Sequence, residues 1–185
     1  MMEHKILIAG FGGQGVMLMG QLLCLGAFLE RKKVLMLPAY GGEQRGGTSN
    51  CTIIISDEDI GSPSVRRYDP IVAMNQPSFN TFHGFLREGG QILTNKSMVE
   101  LPEEDGRTTA VEIPILETAA RLGSERAANM VMLGALTAAC GMVGKAFVQQ
   151  AVVSELGKKR PDMIELNLAA LDAGYSIMSD PCPVK

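Results

Sequence analysis

The residues of this chain with the clearest chemical potential lie in two glycine-rich segments. Gly10-Phe11-Gly12-Gly13-Gln14-Gly15 satisfies G-x-G-x-x-G directly after an apolar run and at the start of a stretch with helical periodicity. Glycines in that setting permit positive φ, let a phosphate or another backbone approach closely, and leave the N–H groups of a helix start facing an anion site. Such a turn serves dinucleotide binding, a phosphate-bearing ligand or close packing against a partner. A NAD site also calls for an acidic side chain at the end of the second strand, where it holds the ribose hydroxyls. That position reads Leu37-Pro38-Ala39, and the next acid, Glu43, falls in the following loop. Dinucleotide binding is therefore the weaker of these readings.

The second segment is Tyr40-Gly41-Gly42-Glu43-Gln44-Arg45-Gly46-Gly47-Thr48-Ser49-Asn50. Paired glycines on both sides of Arg45 suit a backbone that approaches something closely while one fixed cation meets an anion. A solvated, flexible turn is the alternative. Asn75 and Gln76 follow another apolar run and are expected at the same sheet edge. Other chemistry is sparse. Cys24, Cys51, Cys140 and Cys182 are far apart with no C-x-x-C pair, so neither a cluster nor a zinc site is expected. The first three sit in apolar stretches and read as small buried hydrophobes. His4 is expected in a tail and His83 on a surface helix. No nucleophile has a positioned base, so no catalytic residue is expected in this chain alone.

Positioning these segments requires strands that end at one edge. Residues 5–9 form a continuous apolar run closed by glycines, which suits a strand covered on both faces. Helical periodicity follows over 14–30. Strands are expected at 33–37, ended by Pro38, at 51–55 with its β-branched residues, and at 71–74, 91–94 and 109–113. Helices are expected at 77–88, begun by proline and stopped by Gly89 and Gly90, and at 115–122, 127–140, 145–156 and 161–178. The last of these is expected over one face of the sheet. Alternating strands and helices imply βαβ units and a three-layer α/β/α fold with a largely parallel sheet and a Rossmann-like first βαβ unit.

The chain has 185 residues, which suits a single domain over 1–185 with one sizeable core. No apolar run approaches the roughly 20 residues that span a bilayer, and the N-terminus lacks a basic region and a small-residue cleavage site. A cytoplasmic location and no membrane contact are expected. The formal net charge is −3 with Lys and Arg scattered, which argues against nucleic acid as a partner. Met130 and Met132, at helical spacing among apolar residues, read as core.

GFGGQGV at Gly10 to Val16, AYGGEQRGGTSNCTIIIS at Ala39 to Ser56 and AMNQPS at Ala73 to Ser78 together closely resemble the gamma subunit, or gamma domain, of 2-oxoacid:ferredoxin oxidoreductases. The resemblance covers nearly the whole chain, and GGTSNC resembles the 2-oxoglutarate type; pyruvate and branched-chain types are the alternatives. It implies a heterotetramer of anaerobic metabolism that oxidatively decarboxylates a 2-oxoacid with thiamine diphosphate and Mg²⁺. Electrons pass through iron–sulfur clusters to ferredoxin, and the acyl group is trapped on coenzyme A. By the same resemblance the alpha and beta subunits carry thiamine and the delta subunit carries clusters. The gamma chain binds none of these alone and completes the assembly beside the active site.

The candidate residues at that position are Gly10, Gly12, Gly13, Gln14, Gly15, Tyr40, Gly41, Glu43, Arg45, Gly46, Gly47, Thr48, Asn50, Asn75 and Gln76. Arg45 and its flanking N–H groups are expected to shape the coenzyme A side, with Thr48 and Asn50 as polar supports. Two readings from other classes stay open: a self-sufficient nucleotide-binding oxidoreductase and a purely structural subunit. Apolar surface left by absent partners would favour self-association of the isolated chain into a homodimer.

Overall fold

The computed structural model describes residues 3–41, 47–102, 109–157 and 160–179. Its strands are β1 (Glu3–Phe11), β2 (Lys33–Tyr40), β3 (Thr48–Ser56), β4 (Ile71–Ala73), β5 (Gln91–Asn95) and β6 (Thr109–Ile113). Its α-helices are α1 (Val16–Leu29), α2 (Gln76–Phe82), α3 (Ile115–Arg121), α4 (Ala128–Cys140), α5 (Lys145–Gly157) and α6 (Ile164–Ser179). The strands form one sheet in the order β2-β3-β1-β4-β5-β6. β1, β4, β5 and β6 are mutually parallel, whereas β3 runs antiparallel to both β1 and β2. The sheet is thus largely parallel, and the β1-α1-β2 unit is split by β3 lying between its strands. The cause is the short link from β2 to β3: a parallel return needs roughly a dozen residues or more, so the chain doubles back instead.

This insertion sets the geometry of the glycine segments. β3 pairs along its length with both neighbours, so that Phe11 faces Thr48 and Tyr40 faces Ser49 at one sheet edge. β2 continues through Pro38 to Tyr40 rather than ending at Leu37, because it is an edge strand and a missing N–H is tolerated there. At the other end, pairing reaches Glu3 with Ser56 and draws His4 into β1 opposite Ile55, not into a tail.

The two faces of the sheet are covered unequally. Ile6 and Ile8 of β1, Ile53 and Ile55 of β3, Val72, Leu93 and Ile113 pack with Met19, Leu22 and Leu23 of α1 and with α4 in the main core. α4 is apolar on all sides, with Met130, Val131, Met132 and Leu133 fully buried, as suits a helix enclosed by α1, α3 and α6. Consequently α6 packs chiefly on α4 and not on the strands. The opposite face carries a thinner cluster of Leu7, Ile71, Ala73 and Ile92 under Phe79 of α2 and Val99. The α/β/α layering holds, with helices on both faces.

α2 is shorter than its sequence pattern predicts. Asn75 caps it, accepting from the Ser78 N–H at 2.9 Å, and a 3₁₀ turn over His83–Phe85 ends it. Beyond that turn the Phe85 carbonyl accepts from Tyr68 N and the Arg87 N–H donates to Tyr68 O, so tertiary pairing takes the residues that periodicity assigned to helix. Among the described residues no helix is long and apolar enough to cross a membrane.

Candidate functional site

β1 ends at Phe11, and α1 begins at Val16 after a turn in which Gly13 and Gly15 have φ of 97° and 77°. Gly15 occupies the N-cap position of α1 without a side-chain cap, and the first turn of the helix carries no acid. A Cβ at Gly15 would stand 2.3 Å from Asn129 Nδ2, so glycine is required there by both backbone and space. The amino end of α1 is left as an uncompensated positive dipole end.

The two glycine segments meet directly. Gly12 N–H donates to Gly47 O at 3.1 Å, and Gly41 N–H donates to Thr48 O at 2.7 Å. Between them lies a cavity of about 390 Å³. One wall is Gly12, Gly13, Gly15, Val16 and Met17; the other is Tyr40, Gly41, Gly47, Thr48 and Ser49. Seven of the sequence-derived candidates therefore share one cavity: Gly12, Gly13, Gly15, Tyr40, Gly41, Gly47 and Thr48. Glu43, Arg45 and Gly46 lie outside the described residues. Ser49 and Met17 join the lining without having been expected; the alternation of β3, which turns Ser49 to the same face as Cys51, is the signal that locates Ser49.

The remaining candidates sit elsewhere. Asn50, one residue beyond Ser49 along β3, is not among the residues that line this cavity. Gln14 folds back from the turn: its Oε1 accepts from Phe11 N at 2.7 Å and from Asn75 Nδ2 at 2.8 Å, and its Nε2 donates to Met74 O at 3.3 Å. Gln14 and the buried Asn75 are thus a brace between the glycine turn and β4, and Gly10 is the close-packed floor beneath the Gln14 amide. Asn95, at the end of β5, adds a 3.4 Å bond from its Nδ2 to Met74 O. Gln76 bonds to Glu100 N and Asn80 on the α2 side.

This arrangement is unlike a dinucleotide crevice. In open α/β sheets that crevice opens where strand order reverses, here between β1 and β4, and the Gln14 carboxamide occupies it. The end of β2 is also displaced from β1 by two strand spacings, roughly 10 Å, because β3 intervenes. What the cavity offers is backbone N–H groups, a helix dipole, the Tyr40 phenol and the Thr48 and Ser49 hydroxyls. Groups of that kind can bind and orient an anionic ligand; they do not form an acid–base pair.

Other candidate groups are chemically quiet. Burial pushes the thiols of Cys24 and Cys51 up to about 12 and raises Cys140 as well, so all three stay protonated near neutrality. Cys51 Sγ points at Val16 O, 3.8 Å away. Cys182 lies outside the described residues. His83 stacks on Phe79, and its Nδ1 lies 3.0 Å from Phe79 O. Among the described residues no group of three His, Cys, Asp or Glu could hold a metal ion.

Residues 5–177 match the family model for pyruvate ferredoxin/flavodoxin oxidoreductase. The chain is 41% identical over 174 residues to the ketoisovalerate oxidoreductase subunit VorA of Methanothermobacter marburgensis, a match covering 93% of this chain and 36% of that protein. It therefore spans about a third of the length of that relative. Similarity to the 2-oxoglutarate synthase subunit KorC of Methanocaldococcus jannaschii is 34% over 188 residues and covers 97% of this chain and 96% of that one. The crystal structure of a keto/oxoacid ferredoxin oxidoreductase gamma subunit from Geobacter sulfurreducens superimposes with a TM-score of 0.81 at 31% identity, covering 95% of this chain and 98% of the other. The chain belongs to the pyruvate ferredoxin/flavodoxin oxidoreductase family.

Proposed function

We propose that this chain is the gamma subunit of a cytoplasmic 2-oxoacid:ferredoxin oxidoreductase acting on 2-oxoglutarate, and that its double-glycine cavity receives the phosphate-bearing end of coenzyme A. The observation that carries this reading is the convergence of an uncapped helix start and the second glycine segment on one cavity whose described lining has no acid–base pair. Such a site suits a subunit that positions a co-substrate for chemistry performed elsewhere. The buried thiols, each on its own element, do not fit an iron–sulfur cluster. In this reading thiamine diphosphate, Mg²⁺ and the clusters belong to alpha, beta and delta partners, and thiamine diphosphate supplies the decarboxylation. This chain holds the coenzyme A anion against the α1 amino end and screens it from water.

The match with KorC over nearly its full length supports 2-oxoglutarate as the substrate. The higher identity to VorA favours a second reading, a branched-chain 2-oxoacid. Assay of the complex purified anaerobically with this chain decides between them: coenzyme A-dependent ferredoxin reduction should be fastest with 2-oxoglutarate, and preference for ketoisovalerate would assign the second. The site is tested by Met17→Glu. A carboxylate in the first turn suits the helix dipole yet repels a bound anion. We expect the KM for coenzyme A to rise about tenfold, the loss of one charge-assisted contact, while the melting temperature holds. An unchanged KM would remove coenzyme A from this cavity.

A further inference from the structure

At the opposite edge of the sheet, away from both glycine segments, a cleft of about 700 Å³ opens between the start of β1 and the segments that lead into β4 and β5. Its charged lining is unbalanced. Lys5, Arg66, Arg67 and Arg87 oppose only Glu3 and Asp69, an excess of two positive charges in a chain whose formal net charge is −3. Both carboxylates are already engaged, Glu3 with Lys5 at 2.9 Å and Asp69 with Arg87 at 2.6 Å. Arg67 donates to the Gly84 carbonyl, which fixes its guanidinium at the rim. Arg66 has no hydrogen-bond or ion-pair partner among the described residues.

Arg66 and Arg67, adjacent in the chain, and Arg87, from a distant segment, thus line one cleft against the sign of the chain. A solvated charged face gains nothing from that gathering, because the like charges repel. An anion between them reverses the sign of the interaction. The size falls in the range of small-molecule sites, but among the described residues the lining is polar or charged throughout, with the His4 imidazole as its one ring and no apolar side chain that would recognise an acyl chain. What remains is the chemistry of a compact anion of about two charges, matched to guanidinium forks that bond two oxygens at once.

We propose that this cleft binds a phosphate group, free or as pyrophosphate, with Arg66 and Arg67 as its donors and the Ser64 hydroxyl at its rim. The site is independent of the coenzyme A cavity and of the reading given to it. The test is calorimetric titration of the full chain with inorganic phosphate and with pyrophosphate, against chloride at equal ionic strength. Saturable binding is expected, weakened about tenfold or more in Arg66→Ala/Arg67→Ala, unaltered in Met17→Glu, and falling with added salt. Stronger response to pyrophosphate than to phosphate identifies the diphosphate as the ligand; the reverse identifies phosphate itself. Because Arg67 also braces Gly84, Arg66→Glu alone should give the same loss with an unchanged melting temperature. Failure to saturate, equal binding by the arginine variants, or loss in Met17→Glu would overturn the proposal. So would failure of the Arg66 variants to assemble with partner subunits, which would make the cleft a protein contact.

Discussion

Gln14 does the work of a fastener, and its effect can be separated from that of the glycines around it. Its Oε1 is the acceptor for both Phe11 N–H and the Nδ2 of Asn75, and Asn75 is only 1% exposed. Removing the amide in Gln14→Ala leaves those donors without a partner, which costs about 1–3 kcal/mol. We expect that loss in urea denaturation, and we expect Gln14→Ala and Asn75→Ala to combine less than additively because they break one shared bond. Full additivity would show that the two amides act separately. The glycine pattern was legible in the sequence, since each glycine answers a local demand. The role of Gln14 was not, because its partners on β4 are brought to it only by the parallel pairing of β1 with β4.

Among the elements, the crossing of α4 and α6 carries the sharpest demand. A Cβ at Gly134 would stand 1.9 Å from Leu171 O, and one at Gly174 would stand 1.8 Å from Val131 O. Each helix therefore presents a glycine to the backbone of the other. In an open helix, glycine to alanine stabilises by about 1 kcal/mol, but overpacking against backbone that cannot step aside typically costs about 1–3 kcal/mol. The crossing decides the sign: Gly134→Ala and Gly174→Ala should each lower the melting temperature, and a rise in either would refute the close contact. Helical periodicity revealed both helices. It could not reveal their contact, since an isolated glycine in a helical pattern reads equally as a weak point or as a close approach.

At the scale of the molecule, stability should depend on pH through His4. Burial, then the positive charge of Lys32, lowers its pKa from 6.5, with Arg87 acting in the same direction and Asp69 and Asp57 opposing. Its Nε2 is buried without a partner among the described residues. The unfolded chain thus binds a proton that the folded chain resists, so the stabilisation is present above pH 6.5 and is lost as pH falls through that value toward the lowered folded pKa. Replacing the ring in His4→Leu should flatten the stability profile below neutrality. An unchanged slope in denaturant titrations between pH 5 and 7 would assign the acid sensitivity to other groups.

By itself the sequence determined the alternation of strands and helices, the turn at Gly10 to Gly15 and the family, because these rest on local preferences: β-branched runs, helical spacing and glycines that only certain backbones require. Only the tertiary structure decided that β3 would enter between β1 and β2, that Gln14 would close the β1–β4 crevice, and that Asn50 and Gln76 would lie outside the cavity lining. It also gathered Arg66, Arg67 and Arg87 at the far edge. Those outcomes depend on which strands pair and in which direction, and pairing is a contest among distant segments that no local pattern records.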